Sequence, residues 1–137
     1  MRILLLIFIL FSSSLEKKAS KTLYKYYGEE VLLTENKSNN TGTFYNIEGK
    51  EDILFIGSSP SKYETFDFMA VICRDKSIKL VEILVYRESY GGEIGSRRWL
   101  RQFIGMDKPK PIVQGISGAT ISVNSLKYSL NKLIKEL

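Results

Sequence analysis

Residues 64–89 read "ETFDFMAVICRDKSIKLVEILVYRES", and the fold class turns on them. Two runs rich in Val, Ile, Leu and Phe are separated by Asp75-Lys76, which leaves room for a tight reversal. β-Branched and aromatic residues suit a pleated surface, so the segment predicts an antiparallel hairpin. In the second run Ile78, Leu80, Glu82, Leu84 and Tyr86 oppose Lys79, Val81, Ile83 and Val85. Neither set is purely polar, which predicts a strand covered in part on both faces.

Working outward, "DILFIGSS" (52–59) reads as a further strand. Before it, "EEVLLTENKSNNTGTFYNIEGKED" predicts a short strand, a polar loop around Lys37 to Gly42 and a turn at Gly49. "KKASKTLYKYYGEE" (17–30) places Leu23, Tyr26 and Tyr27 at helical spacing, with Gly28 as the stop. On the other side, "SYGGEIGSRRWLRQFIG" (89–105) predicts a Gly-Gly turn and a helix from about Ser96 to Ile104. Its apolar side would be Leu100, Phe103 and Ile104, ended by Gly105. "MDKPKPIVQ" is an extended connector, because residues before proline avoid the helical region. The last helix carries Val123, Leu126, Leu130, Leu133 and Leu137 as one apolar stripe. The whole is an α+β chain: a twisted, mostly antiparallel sheet with flanking helices.

The composition narrows the chemistry. A chain of 137 residues with 44% hydrophobic and 26% charged residues is an ordinary single globular domain. It has no histidine, which removes Ser-His and Cys-His catalysis, and one cysteine, which removes an internal disulfide. Cys73 lies in an apolar run and reads as a buried thiol. The net charge of +5 is spread along the chain without the basic stripe of a nucleic-acid binder, so no nucleic-acid partner is expected. A small anion or a membrane surface suits that charge better. The start, "MRILLLIFILFSSSLEKKAS", has a basic residue, an apolar run and serines. That is the outline of a signal peptide over residues 1–15, either cut or kept as an anchor, with the domain proper over 16–137. Export to the periplasm or another extracytoplasmic space is the expectation.

"GISGATISVNSL" (115–126) concentrates small and hydroxyl residues at the mouth of the last helix. Small residues admit a ligand close to the backbone, and helix amides suit a phosphate. A plain capping turn is the alternative. Within it, "ISGATIS" resembles the flavin-attachment motif of the FMN-binding domain family. That family includes subunits of sodium-pumping NADH:quinone oxidoreductase and Rnf-type complexes, and small exported flavoproteins. The block "VEILVYRESYGGEIGSRRWLRQFIG" is similar to what precedes the motif in small members.

The resemblance implies FMN, held by Ser117, Gly118, Ala119 and Thr120 around its phosphate. It implies a flavin transferase as partner, joining FMN to a hydroxyl at the position of Ser122. The remaining partner would be a redox protein, membrane-bound or periplasmic, and the role electron transfer. Gly91 and Gly92 would let the backbone approach the flavin ring, Trp99 or Tyr90 would flank it, and Glu88 and Glu93 would contact ring or ribityl. Arg97, Arg98 and Arg101 would offset negative charge, or form a solvated face. The chain departs from the family at Gln114, where an acid is common, and at Ser122, where threonine is usual. Non-covalent FMN, and a binding module that has lost the flavin, therefore stay open. Ser117 as a hydrolase nucleophile has no histidine to activate it.

Overall fold

The computed structural model describes residues 14–137. The leader expected over 1–15 lies outside them except for Ser14 and Leu15, which belong to the first helix, α1 (Ser14–Tyr27). Five strands follow: β1 (Leu33–Ser38), β2 (Gly42–Ile47), β3 (Ile53–Pro60), β4 (Thr65–Ile72) and β5 (Ile78–Val85). They form one sheet in the order β1-β2-β3-β4-β5, every pair antiparallel. The short helix α2 (Arg97–Leu100), flanked by 3-10 turns at Gly92–Gly95 and Arg101–Phe103, and the long α3 (Thr120–Glu136) complete an α+β fold. Among the described residues no helix is long and apolar enough to cross a membrane.

The sheet is covered on both faces. On one, Phe44, Phe55, Phe66, Phe68, Ala70 and Ile72 meet the apolar stripe of α3. On the other, Tyr45, Ile47, Leu54, Ile56, Met69 and Val71 meet Ala19 and Leu23 of α1. A strand buried this way reads as a continuous apolar run, which is the character of "FMAVI" in β4. The reversal at Asp75-Lys76 forms as expected: Cys73 and Ser77 pair across it, and Lys76 takes φ 70°. Cys73 itself is half-exposed just beyond β4, not buried.

Strict alternation along β5 does not hold. Val71 pairs with Leu80 while Ile72 pairs with Ile78, and Phe68 pairs with Ile83 while Asp67 pairs with Val85. Each slip inserts one residue and turns the following side chains over. Ile78, Val81, Ile83 and Tyr86 consequently share the α3 face, and Leu80 and Leu84 pack towards α1. Tyr86 reaches the mouth of α3 through these two bulges.

Three other expectations change. The loop at 37–42 shrinks to a turn, in which the Asn39 side chain accepts from the Thr41 and Gly42 amides. In α1 the buried residues are Ala19 and Leu23, and Tyr26 is exposed. The helix expected over 96–104 is only α2 followed by a 3-10 turn at Arg101–Phe103, with Ile104 52% exposed. The chain bends there because Gly105 and Met106 pair with the backbone of Ile78, at 2.7 and 2.9 Å.

A clamp pins the end of α1. The Tyr27 hydroxyl and the Lys79 ammonium both donate to Asp52 Oδ2, at 2.6 and 2.9 Å. Burial pushes the Asp52 carboxyl up, but the two donors outweigh it and hold the group below its ordinary value. The Asp52 bond holds Lys79 above its ordinary value. Burial and then Asp52 push Tyr27 up as well. The Asp52 contribution is thus full above about pH 4, the unfolded carboxyl value, and is lost as pH falls through the depressed folded value. The Lys79 contribution is full below about pH 10.4 and is lost as pH rises through its raised value. Urea unfolding of Asp52→Asn across acid pH should give a flatter acid limb than the unsubstituted chain. Parallel limbs would show that the clamp contributes nothing.

Candidate functional site

The apolar stripe of α3 does what its spacing requires. Val123, Leu126, Leu130 and Leu133 are buried, with Ile134 beside them, and Leu137 is half-buried. Burying side chains of this size is worth about 1.5–3 kcal/mol each, which fixes the helix and therefore its N-terminus. Ahead of Thr120 the chain makes one turn: the Ala119 amide donates to the Ile116 carbonyl at 3.1 Å, and Gly118 holds φ 81°. Ile116 and Ala119 are buried, so Ser117, Gly118 and Thr120 are left at the surface. No side chain caps α3 at Ala119. Among the described residues no side chain accepts from the first-turn amides at the positive end of the helix dipole, a favourable setting for an anion.

Ser122 points the other way. It is 3% exposed and shares a hydrogen bond with the Tyr86 hydroxyl at 3.0 Å. Gly91 closes the same side. A Cβ on Gly91 would stand 2.6 Å from the Ala119 Cβ and 3.0 Å from the Tyr86 hydroxyl oxygen, and its φ is 76°. Tyr86 and Gly91 thus fill the inner side of the loop, and Ser117, Gly118 and Thr120 form its open side.

The chain entering the loop is held from two sides. Trp99 Nε1 donates to the Gln114 carbonyl at 2.8 Å, and the Gln114 amide donates to Gln102 Oε1 at 2.7 Å. Gln102 Nε2 donates in turn to the Trp99 carbonyl at 3.0 Å. Further back, Asn131 of α3 accepts from the Lys110 amide and donates to its carbonyl, at 2.7 and 2.9 Å. The extended connector is tied to the same helix whose start it must present.

The expected site residues divide accordingly. Residues 117–120 are gathered at the open mouth of α3, with Ser122 beneath them. Gly91 and Trp99 join them as supports: Gly91 packs on Ala119, and Trp99 is 6% exposed with its indole N–H spent on Gln114. Gly92 has open space where a Cβ would stand, and Glu93 is exposed. Glu88 is committed elsewhere. Its Oε1 accepts from the Tyr63 amide, the Ser61 hydroxyl and the Glu64 amide, and the Tyr63 bond is the main cause holding its carboxyl below the ordinary value. Tyr86, Gln102 and Asn131 were not singled out by the sequence. Tyr86 was hidden by the bulges, and a glutamine or asparagine that bonds backbone leaves no local pattern.

A rigid α+β scaffold that offers an uncapped helix mouth, a glycine turn and outward hydroxyls defines a protein suited to a phosphate-bearing ligand. The sequence matches the FMN-binding domain family over residues 63–135, and the chain belongs to that family. FMN is its cofactor. The matched stretch runs from the start of β4 into the last turn of α3, and it contains the helix mouth, its supports Tyr86, Gly91, Trp99 and Gln102, and the connector before it. No curated protein matches the chain. The residues present fit the phosphate end of the cofactor: free helix amides, small side chains and an exposed alcohol converge at one surface.

Proposed function

We propose that the protein is an exported electron carrier whose FMN is joined through its phosphate to Thr120, by a separate flavin transferase. The observation that carries the choice of residue is exposure. Thr120 is exposed as the first residue of α3, where an external enzyme can reach its hydroxyl, and Ser122 is buried against Tyr86. Resemblance alone pointed to Ser122; burial makes Thr120 the better acceptor and leaves Ser122 a packing role.

Bound FMN supplies the redox chemistry through its ring. The chain's own part is to hold and orient. The amides at the start of α3 neutralise phosphate, Gly91 and Ala119 set the loop against the sheet, and Trp99 and Gln102 fix its entry. The change at Gln114 costs little in this arrangement, because its backbone groups are what the neighbours grip. A redox partner outside the cytoplasm, membrane-bound or free, would deliver and remove electrons. The apolar run from Ile3 to Phe11 behind Arg2, which has the outline of an export signal, supports that reading. A covalent bond would keep a small soluble cofactor from diffusing away there.

Co-expression with a flavin transferase, followed by intact mass and visible spectrum, decides the matter. The chain should gain the mass of an FMN phosphoester and a flavin spectrum. Thr120→Ala should lose the mass increment, and Ser122→Ala should keep it, at a stability cost of about 1 kcal/mol from the lost Tyr86 bond. The reverse pattern would return the assignment to Ser122. Colour that leaves on denaturation would mean non-covalent FMN, and a colourless chain would favour a binding module without flavin.

A further inference from the structure

Between α1 and α2 a groove of about 360 Å³ opens over β5. Its walls bring together Lys25 from α1 with Arg97 and Arg101 from the α2 region, and its floor includes Leu80 and Leu100. Glu82 is the one acid in the lining. None of these four charged groups forms an ion pair among the described residues, where the pairs are Lys50–Glu29, Arg74–Glu51, Lys79–Asp52 and Arg87–Asp67. Three cations that converge on a concave, partly apolar surface without internal partners form a site for carboxylates. Arginine's fork is made for that contact, and the apolar floor has room for a neighbouring side chain.

We propose that this groove docks an acidic peptide segment of the protein that exchanges electrons with the flavin. The concave shape favours a protruding segment over a flat bilayer, and the local excess of positive charge selects an acidic one. Position gives the contact its use. Trp99 lies between Arg97 and Arg101 in α2 and its continuation, and it reaches inward to Gln114 at the entrance of the flavin loop. A partner seated in the groove is therefore one short helix away from the loop. The groove is distinct from the phosphate site, whose residues 116–122 do not line it. The identity of the occupant as a redox partner rests on the electron-carrier reading.

The test uses the flavin-loaded full chain and a short synthetic peptide that alternates Glu or Asp with Leu. Amide chemical shifts are followed during titration, and phosphatidylglycerol vesicles and inorganic phosphate are titrated separately. The peptide should shift the amides of Leu80, Glu82, Leu100 and Arg101, and bind more weakly as salt rises. Lys25→Glu should bind more weakly with its visible flavin spectrum unchanged, and Arg97→Glu/Arg101→Glu should bind roughly tenfold more weakly or worse. Lys108→Glu/Lys132→Glu, at cations outside the groove that form no ion pair among the described residues, should bind as before. Shifts spread over the whole basic surface, equal loss in both double variants, or binding of vesicles or phosphate without the peptide would each overturn the proposal. A chain that takes up no flavin would defeat the carrier reading, and the peptide titration would still report on the groove.

Discussion

Gly91→Ala is expected to destabilise the protein by about 3 kcal/mol, a large effect for one added methyl group. Two costs combine. The φ of 76° is left-handed, a region that costs an L-residue roughly 1–2 kcal/mol. The new methyl would also stand 2.6 Å from the Ala119 Cβ, and forcing an overpacked site apart typically costs about 1–3 kcal/mol. Urea unfolding gives the number. Ala119→Gly removes the colliding methyl, so Gly91→Ala/Ala119→Gly should recover the steric part and leave the backbone part. Gly92→Ala provides the contrast: with open space around it, the change should stay within about 0.5 kcal/mol. If the two alanine substitutions cost the same, the turn does not pack on the loop as described. Flavin loading of Gly91→Ala should fall as well, because the displaced atom is part of the loop that must present Thr120.

Trp99→Ala should cost about 3–5 kcal/mol, the range for removing a large buried aromatic side chain. The indole is 6% exposed and meets Phe103 edge-on, with ring centres 5.4 Å apart. Trp99→Phe separates packing from positioning. It keeps most of the apolar volume and deletes the N–H that holds the Gln114 carbonyl, a loss of about 1 kcal/mol. The Phe variant should unfold only slightly earlier, yet amide exchange in residues 114–118 should quicken and flavin loading should slow. Unchanged exchange there would mean that Gln102 alone holds the entry to the loop.

These two residues show how far local reading goes. Gly91 and Gly92 are indistinguishable in "SYGGE", and each reads as a place where the flavin ring comes close. Contact with Ala119, nearly thirty residues on, separates them. Trp99 in "RRWL" invites a ring-stacking role, but a buried indole needs a partner for its N–H, and a carbonyl outside its own helix supplies one. Ser122 and Thr120 differ in the same way. Two places apart on a helix, their side chains face different directions, and the sheet covers one of them.

Periodicity, turn residues and composition were enough for the antiparallel hairpin at 64–89, the partial cover on both faces of its second strand, the long C-terminal helix and the small-residue loop at its mouth. These are properties of neighbouring residues, and a chain declares them wherever it is read. Which face of β5 carries Tyr86, which glycine bears weight and which hydroxyl is open to solvent depend on bulges and on contacts between distant segments. Such contacts arise only when a sheet, a helix and a turn compete for the same space, and no short stretch of sequence contains that competition.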